Sequence, residues 1–169
     1  MRQTFDQQIE DALPDLWRFA FSLTRSHDQA DDLVQDAVLR AIRKKALRWP
    51  GHPVKPWAMK ILLNCYRNDR RRAAGIPASD PLALDLLPAP EATAEERLEL
   101  RWLWRRIDAL PEDQKLVLLA VTVAGMTYAE TARLLGVPQG TVMSRLSRAR
   151  ARLQAIGEPP ETSRLRSVK

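Results

Sequence analysis

Residues 127–153 read TYAETARLLGVPQGTVMSRLSRARARL, and the fold is decided by how this stretch is punctuated. Residues 128–135 carry a short helical pattern that Gly136 stops, and Pro138 follows where a first helical turn tolerates a missing N–H. The pattern therefore predicts a second helix beginning at Pro138. Ala132, Gly136 and Val142 supply a small residue where two helices cross, a turn glycine able to take positive φ, and a buried branched side chain, the requirements of a helix-turn-helix. On the second helix Val142, Leu146, Ala149 and Leu153 form one apolar seam at steps of four, three and four. Thr141, Arg145, Arg148 and Arg152 share a flank, beside a face of small groups, Gly140, Ser144, Ser147 and Ala151. A helix of this kind can sit deep in a DNA major groove while its arginines reach phosphates or guanines. No acid interrupts residues 138–156. A helical hairpin with a merely solvated basic face would explain the charge, but not the agreement of charge with spacing and turn chemistry.

Working outward, residues 94–110 place Leu100, Leu103, Ile107 and Leu110 at helical spacing, Pro111 breaks the pattern, and residues 112–123 form another apolar helix. With the helix-turn-helix these make a four-helix second domain over residues 94–156. Before it, IPASDPLALDLLPAP at 76–90 has four prolines and no positive charge, so residues 76–93 read as a flexible acidic linker. Residues 157–169 mix Ser, Arg and Pro with few apolar groups and read as a disordered tail.

The first domain spans residues 1–75. Ile9, Leu13, Leu16, Ala20 and Leu23 recur at helical spacing over residues 5–24, with a kink expected near Pro14. Ser26 with Gln29, or Asp28 with Asp31, can cap a second helix whose seam is Ala30, Leu33, Val34, Ala37, Val38 and Ala41, ended at Trp49-Pro50-Gly51. Pro50, Pro53 and Pro56 hold the chain extended until a third helix starts at Trp57. No strand alternation or internal repeat occurs, so the expectation is an all-α protein of two small helical domains joined by an acidic proline-rich linker.

Net charge is +6 and the isoelectric point near 10.0. Residues 1–75 hold 14 basic and 9 acidic side chains, residues 76–96 none and 5, and residues 97–156 hold 10 and 5, so two basic blocks flank an acidic bridge. That distribution suits two nucleic-acid contacts. Cys65 is the only cysteine and His27 and His52 the only histidines, which excludes a disulfide framework and a Cys/His zinc site. There is no phosphate loop and no nucleophile–histidine set, so neither catalysis nor a cofactor is expected. Asp28, Asp31, Asp32 and Asp36 lie on a helix with an apolar seam to bury, which favours a solvated or partner-facing surface over a metal site. No apolar run reaches membrane-span length, and the polar start lacks a signal-peptide core; a reducing, cytoplasmic location is expected.

Residues 57–72 interleave Trp57, Asn64, Tyr66 and Asn68 with Arg67, Arg70, Arg71 and Arg72. Aromatic faces stack unpaired bases, amides read their edges and arginines track the backbone, which suits single-stranded DNA. Composition alone leaves a second reading open, in which Trp57 and Tyr66 fill the core and the arginines are a solvated helix end. Cys65 reads as a small packing residue.

Taken together, the chain resembles a bacterial sigma factor of the extracytoplasmic-function (ECF) group, the minimal two-domain kind. LWRFAFSLTRSHDQADDLVQDAVLRAI is similar to the family's core-polymerase-binding helices, Trp57 and Asn64 to its −10-reading segment, and Leu110-Pro111-Glu112 with GVPQGTVMSRLSRARARL to its −35-reading domain. The chain departs from the pattern at Asn68, where the family often has aspartate, and in the proline-rich WPGHPVKPW. The resemblance implies a non-enzymatic subunit that binds core RNA polymerase through its beta-prime and beta subunits and helps open promoter DNA, contacting it as duplex and as single strand. It implies core-polymerase contacts at Asp32, Gln35, Asp36 and Leu39. It implies −10 contacts at Trp57, Asn64, Tyr66, Asn68, Arg71 and Arg72. For −35 it implies Gly140, Thr141, Ser144, Arg145, Arg148 and Arg152. An anti-sigma partner and a role in stress response are expected, without membrane insertion. A linker threading the polymerase's RNA channel is also implied. Two other readings stay open: a free-standing helix-turn-helix regulator, and a sigma mimic that titrates an anti-sigma factor.

Overall fold

The computed structural model describes residues 3–48, 53–72 and 93–155, and the expected linker and tail lie outside these residues. Every described element is helical. The first helix, α1 (Phe5–Thr24), starts at a capping box in which Thr4 accepts from the Gln7 N–H and the Gln7 side chain accepts from the Thr4 N–H, and it runs on through Pro14. It ends at Arg25, a non-glycine residue in the left-handed region (φ 59°) whose N–H donates to the Phe21 carbonyl. Of the two caps the sequence allows, Ser26 is the one used: it caps α2 (His27–Lys44) by accepting from the Gln29 N–H. A 3-10 turn, Lys45–Leu47, follows. α3 spans Val54–Arg72, starting three residues before the predicted Trp57. Pro56 does not hold the chain extended there, because a proline in the first turn lacks only an N–H that has no helical partner anyway.

The first three helices pack mutually around Leu16, Phe19, Met59, Leu62 and Leu63, each without solvent exposure. The inner face of α2 is the predicted one: Ala30, Leu33, Val34, Ala37 and Ala41 are buried and Val38 packs against them. Lys55 at the start of α3 pairs with Asp15 of α1.

The second bundle comprises α4 (Ala94–Asp108), α5 (Glu112–Thr122), α6 (Tyr128–Leu135) and α7 (Gln139–Ala155). Pro111 separates α4 from α5 as predicted, and its carbonyl accepts from the Gln114 and Lys115 N–H groups. Val117, Leu119, Val142 and Ala149 are fully buried, and α5, α6 and α7 enclose them.

The two bundles touch, which nothing in the local sequence pattern announces. α3 lies against α6 and α1 against α5, and the buried apolar side chains of both bundles form one continuous cluster. Among the described residues Arg25 is the most deeply buried charged group, 7% exposed. Its guanidinium carbon lies 3.2 Å from the centre of the Trp104 ring and its Nη2 sits 3.3 Å from Asp108. Asp108 is shared with Lys115 at 2.7 Å. Arg70 of α3 pairs with Glu112 of α5 at 3.1 Å, and the Lys60 ammonium donates to the Leu134 carbonyl at the end of α6.

Candidate nucleic-acid and partner interfaces

The helix-turn-helix is built by local chemistry. Thr127 and Glu130 form a capping box at the start of α6, the Thr127 hydroxyl accepting from the Glu130 N–H and the carboxylate accepting from the Thr127 N–H. Gly136 takes φ 70°, and its N–H and that of Val137 both donate to the Ala132 carbonyl, closing the helix in the manner that favours glycine. The Pro138 carbonyl then accepts from Thr141 and Val142, so the helix starts at Gln139 with proline as its cap. The crossing itself rests on Thr131, wholly buried, as well as on the half-buried Ala132 singled out by the sequence.

On α7, Val142, Leu146 and Ala149 are buried and Leu153 packs against them, which turns the opposite side outward. Gly140, Ser147, Arg148, Ala151 and Arg152 are exposed; Thr141 and Ser144 are half-buried, the Ser144 hydroxyl donating to the Thr141 carbonyl. A β-carbon at Gly140 would meet nothing within 4 Å, so packing inside the chain does not require a glycine there. Arg145 is not a free cation: its Nε lies 3.1 Å from an Asp113 carboxylate oxygen in an ion pair that ties α7 to the first turn of α5.

α3 places the other cationic surface. At 100° per residue, Trp57, Lys60, Asn64, Arg67, Asn68 and Arg71 share one face. Asn64, Asn68, Arg71 and Arg72 are exposed, while Trp57 is half-buried, with Phe5 in a T-shaped contact at 6.0 Å. Tyr66 departs from the expected set: its ring is 8% exposed and its hydroxyl donates to the Leu23 carbonyl at 3.3 Å. Burial raises its pKa, and the face that could stack a base is turned inward. One turn of helix separates Tyr66 from the inward Leu62 and Leu63, so its position on the core side follows from the period. Cys65 is buried, and burial raises its thiol pKa, in keeping with a packing role. Lys60, which sequence reasoning passed over, has its pKa lowered by burial and by Arg67.

The outer side of α2 presents Asp28, Asp32, Gln35, Asp36 and Arg43 with Leu39 at their centre, 45% exposed. Ile42 and Leu47 continue the apolar line toward the 3-10 turn. Asp36 pairs with Arg40 at 3.4 Å and remains exposed. Among the described residues no helix is long and apolar enough to cross a membrane.

Comparison with known proteins matches both halves. The profile described as "Sigma-70 region 2" covers residues 8–76, and "Sigma-70, region 4" covers residues 100–153. The chain is 37% identical over 147 residues to the ECF RNA polymerase sigma factor EcfG of Rhodopseudomonas palustris, covering 86% of this chain and 80% of that protein. It is 37% identical over 155 residues to SigM of Mycobacterium tuberculosis, covering 92% and 78%. Among solved structures it is similar to the sigma factor RpoE in complex with the anti-sigma factor NepR from Bartonella quintana, with TM-score 0.75, 32% identity, and coverage of 90% of this chain and 95% of that one. CnrH in complex with the cytosolic domain of CnrY gives TM-score 0.68 at 27% identity, covering 90% and 86%.

Proposed function

The chain belongs to the ECF group of sigma-70 factors, promoter-recognising subunits of RNA polymerase, and on that premise we propose a division of labour among its three exposed surfaces. The outer face of α7 reads the −35 element, with Arg148 and Arg152 on phosphates or guanines and Gly140, Thr141 and Ser144 admitting the groove wall. The Asn64 face of α3 reads the −10 element as single strand, with Asn68, Arg71 and Arg72 along the backbone and Trp57 at its edge. Asp32, Gln35, Asp36 and Leu39 grip core polymerase. The chain carries no chemistry of its own in this reading, acts in the cytoplasm, and is held in reserve by an anti-sigma factor, a partner of the kind that NepR is in its complex with RpoE.

The observation that carries the reading is the pairing, in one chain, of an acid-free reading helix with an acidic, leucine-centred face on α2. A free-standing regulator needs only the first. Gly140 adds weight: packing inside the chain does not ask for a glycine there, and a backbone without a side chain lets DNA approach closely. The test is transcription by core polymerase plus this chain from a library of promoters. Promoter-specific starts are expected; DNA binding without core binding would support the regulator, and core binding without initiation the mimic.

Two further measurements probe the DNA surfaces. Arg148→Ala and Arg152→Ala should each reduce the slope of log affinity against log salt for a −35 duplex by about 0.9, one phosphate's worth of counterions. Arg145→Ala should change it less, since Asp113 already neutralises that guanidinium. Unchanged slopes for Arg148 and Arg152 would take both off the DNA. Replacing Asn64 by aspartate or serine should change which −10 base is preferred. Equal loss on all four base variants would make Asn64 a backbone contact.

A further inference from the structure

We propose that Met143 is a specificity-determining residue of the reading helix: its thioether side chain detects the C5-methyl group of one thymine in the −35 element. The proposal deepens the reading of α7 given above and rests on it. Among the described residues, the large apolar side chains left exposed in the second bundle are Leu98 and Leu103 of α4 and Met143 of α7. A single exposed apolar side chain is ordinary on a protein surface. The surroundings of Met143, which is 53% exposed, are not ordinary.

Met143 stands in the first half of α7, the part of a recognition helix that meets base edges. Gly140 and Ser147, three residues before it and four after, are its neighbours along the helix surface, and Ser144 borders the same strip. All three are small, so Met143 is the one long side chain that rises from that strip. On its other side Tyr128, Arg150 and Gln154 border with it an open groove of about 380 Å³, which leaves the thioether room to move.

The chemistry of a DNA duplex then selects what such a side chain can recognise. Phosphates call for cations, and the major-groove edges of guanine, adenine and cytosine offer hydrogen-bond donors and acceptors. A thioether has no donor and is a weak acceptor. The apolar group in the major groove is the methyl of thymine. Methyl and thioether both shed water when they meet, and a flexible, polarisable side chain can settle on its target without a fixed geometry. Arg148 and Arg150, exposed on opposite flanks of α7, attract phosphates without regard to sequence. Met143 adds no such attraction, so its contribution is discrimination.

The test uses holoenzyme, the full chain bound to core polymerase, on a promoter selected from the library above. Each thymine of the −35 element, on either strand, is replaced in turn by deoxyuridine, which keeps the base pair and removes only the methyl. At one thymine the parent should lose about fourfold in promoter affinity, the worth of one buried methyl-sized group. Met143→Ala should lose a similar factor on the thymine promoter and lose nothing further at that uracil, with unchanged far-ultraviolet dichroism. Met143→Leu should keep the methyl dependence. With a cytosine–guanine pair at the same position, 5-methylcytosine should bind the parent about fourfold better than cytosine, and Met143→Ala should not distinguish them.

A parent indifferent to every uracil, or a Met143→Ala protein that responds to uracil as the parent does, would overturn the proposal. If Arg148→Ala still weakens promoter binding in that case, the −35 reading of α7 stands without Met143. Indifference of promoter binding to Arg148→Ala, Arg152→Ala and Met143→Ala alike would remove α7 from the −35 element and the proposal with it. Weaker binding of Met143→Ala to labelled core polymerase, with the uracil response unchanged, would show that the side chain faces protein and would overturn the proposal as well.

Discussion

Leu39→Asp is expected to lower affinity for core RNA polymerase at least about tenfold, or about 1.4 kcal/mol, while leaving helicity and −35 binding intact. The inner face of α2 explains the second half of that expectation: Ala30, Ala37 and Ala41 are buried and hold the helix against α1 and α3, whereas Leu39 is 45% exposed on the other side and contributes little to the core. The first half follows from what surrounds it. Asp32, Gln35 and Asp36 are exposed around an apolar centre, the anatomy of an interface anchor with a charged rim. An aspartate at the centre would have to be desolvated against the partner, and adds a like charge to a face that already repels acids. Asp32→Arg with Asp36→Arg should act through the rim and weaken binding in a more salt-dependent way. Titration of labelled core polymerase measures both; a folded Leu39→Asp protein with wild-type affinity would place the docking face elsewhere.

Phe19→Ala should be the most damaging single truncation in the first bundle. Phe19 has no exposed surface and sits among Leu16, Met59, Leu62 and Leu63, which are equally enclosed. Removing a buried phenyl ring loses its transfer free energy and leaves a cavity, together about 3–5 kcal/mol. Against a total stability of about 5–15 kcal/mol for a domain, that lowers the melting temperature by about 12 °C or more. Leu13→Ala on the same helix, at 37% exposure, should cost well under half as much. Urea unfolding compares the two; a Phe19→Ala loss near that of Leu13→Ala would mean that the bundle collapses into the space.

Where periodicity speaks, the chain was legible. α1, the two faces of α2 and the Pro111 break follow from which residues recur at helical spacing, and the turn of the helix-turn-helix follows from Gly136 and Pro138. The start of α3 was misread because prolines signal extension in general yet are tolerated in a first turn, where Pro56 lies. Composition leaves Tyr66 open between the core and the DNA, and the resemblance sets it among the DNA contacts; its inward direction is available in its spacing from Leu62 and Leu63. The pairing of Arg145 with Asp113 and of Arg25 with Trp104 and Asp108 could not be read, because contacts between elements distant in sequence leave no period. Nor does anything local mark Arg25 for the left-handed region, where glycine or asparagine is the usual occupant.

The separation of Arg25 and Asp108 by 83 residues has a meaning in the order of synthesis. At about 5–20 residues per second, a ribosome needs roughly 4–17 s to pass from one to the other. Bundles built from neighbouring helices fold in microseconds to milliseconds. The first three helices, which pack on one another, are thus complete long before Trp104 emerges. From the completion of α3 at Arg72 to Asp108, roughly 2–7 s at that pace, the nascent chain displays α3 with no second bundle against it. Closure is a late event, the meeting of two finished surfaces on one polypeptide. Its rate depends on the tether between them and is indifferent to how many copies of the protein the cell holds.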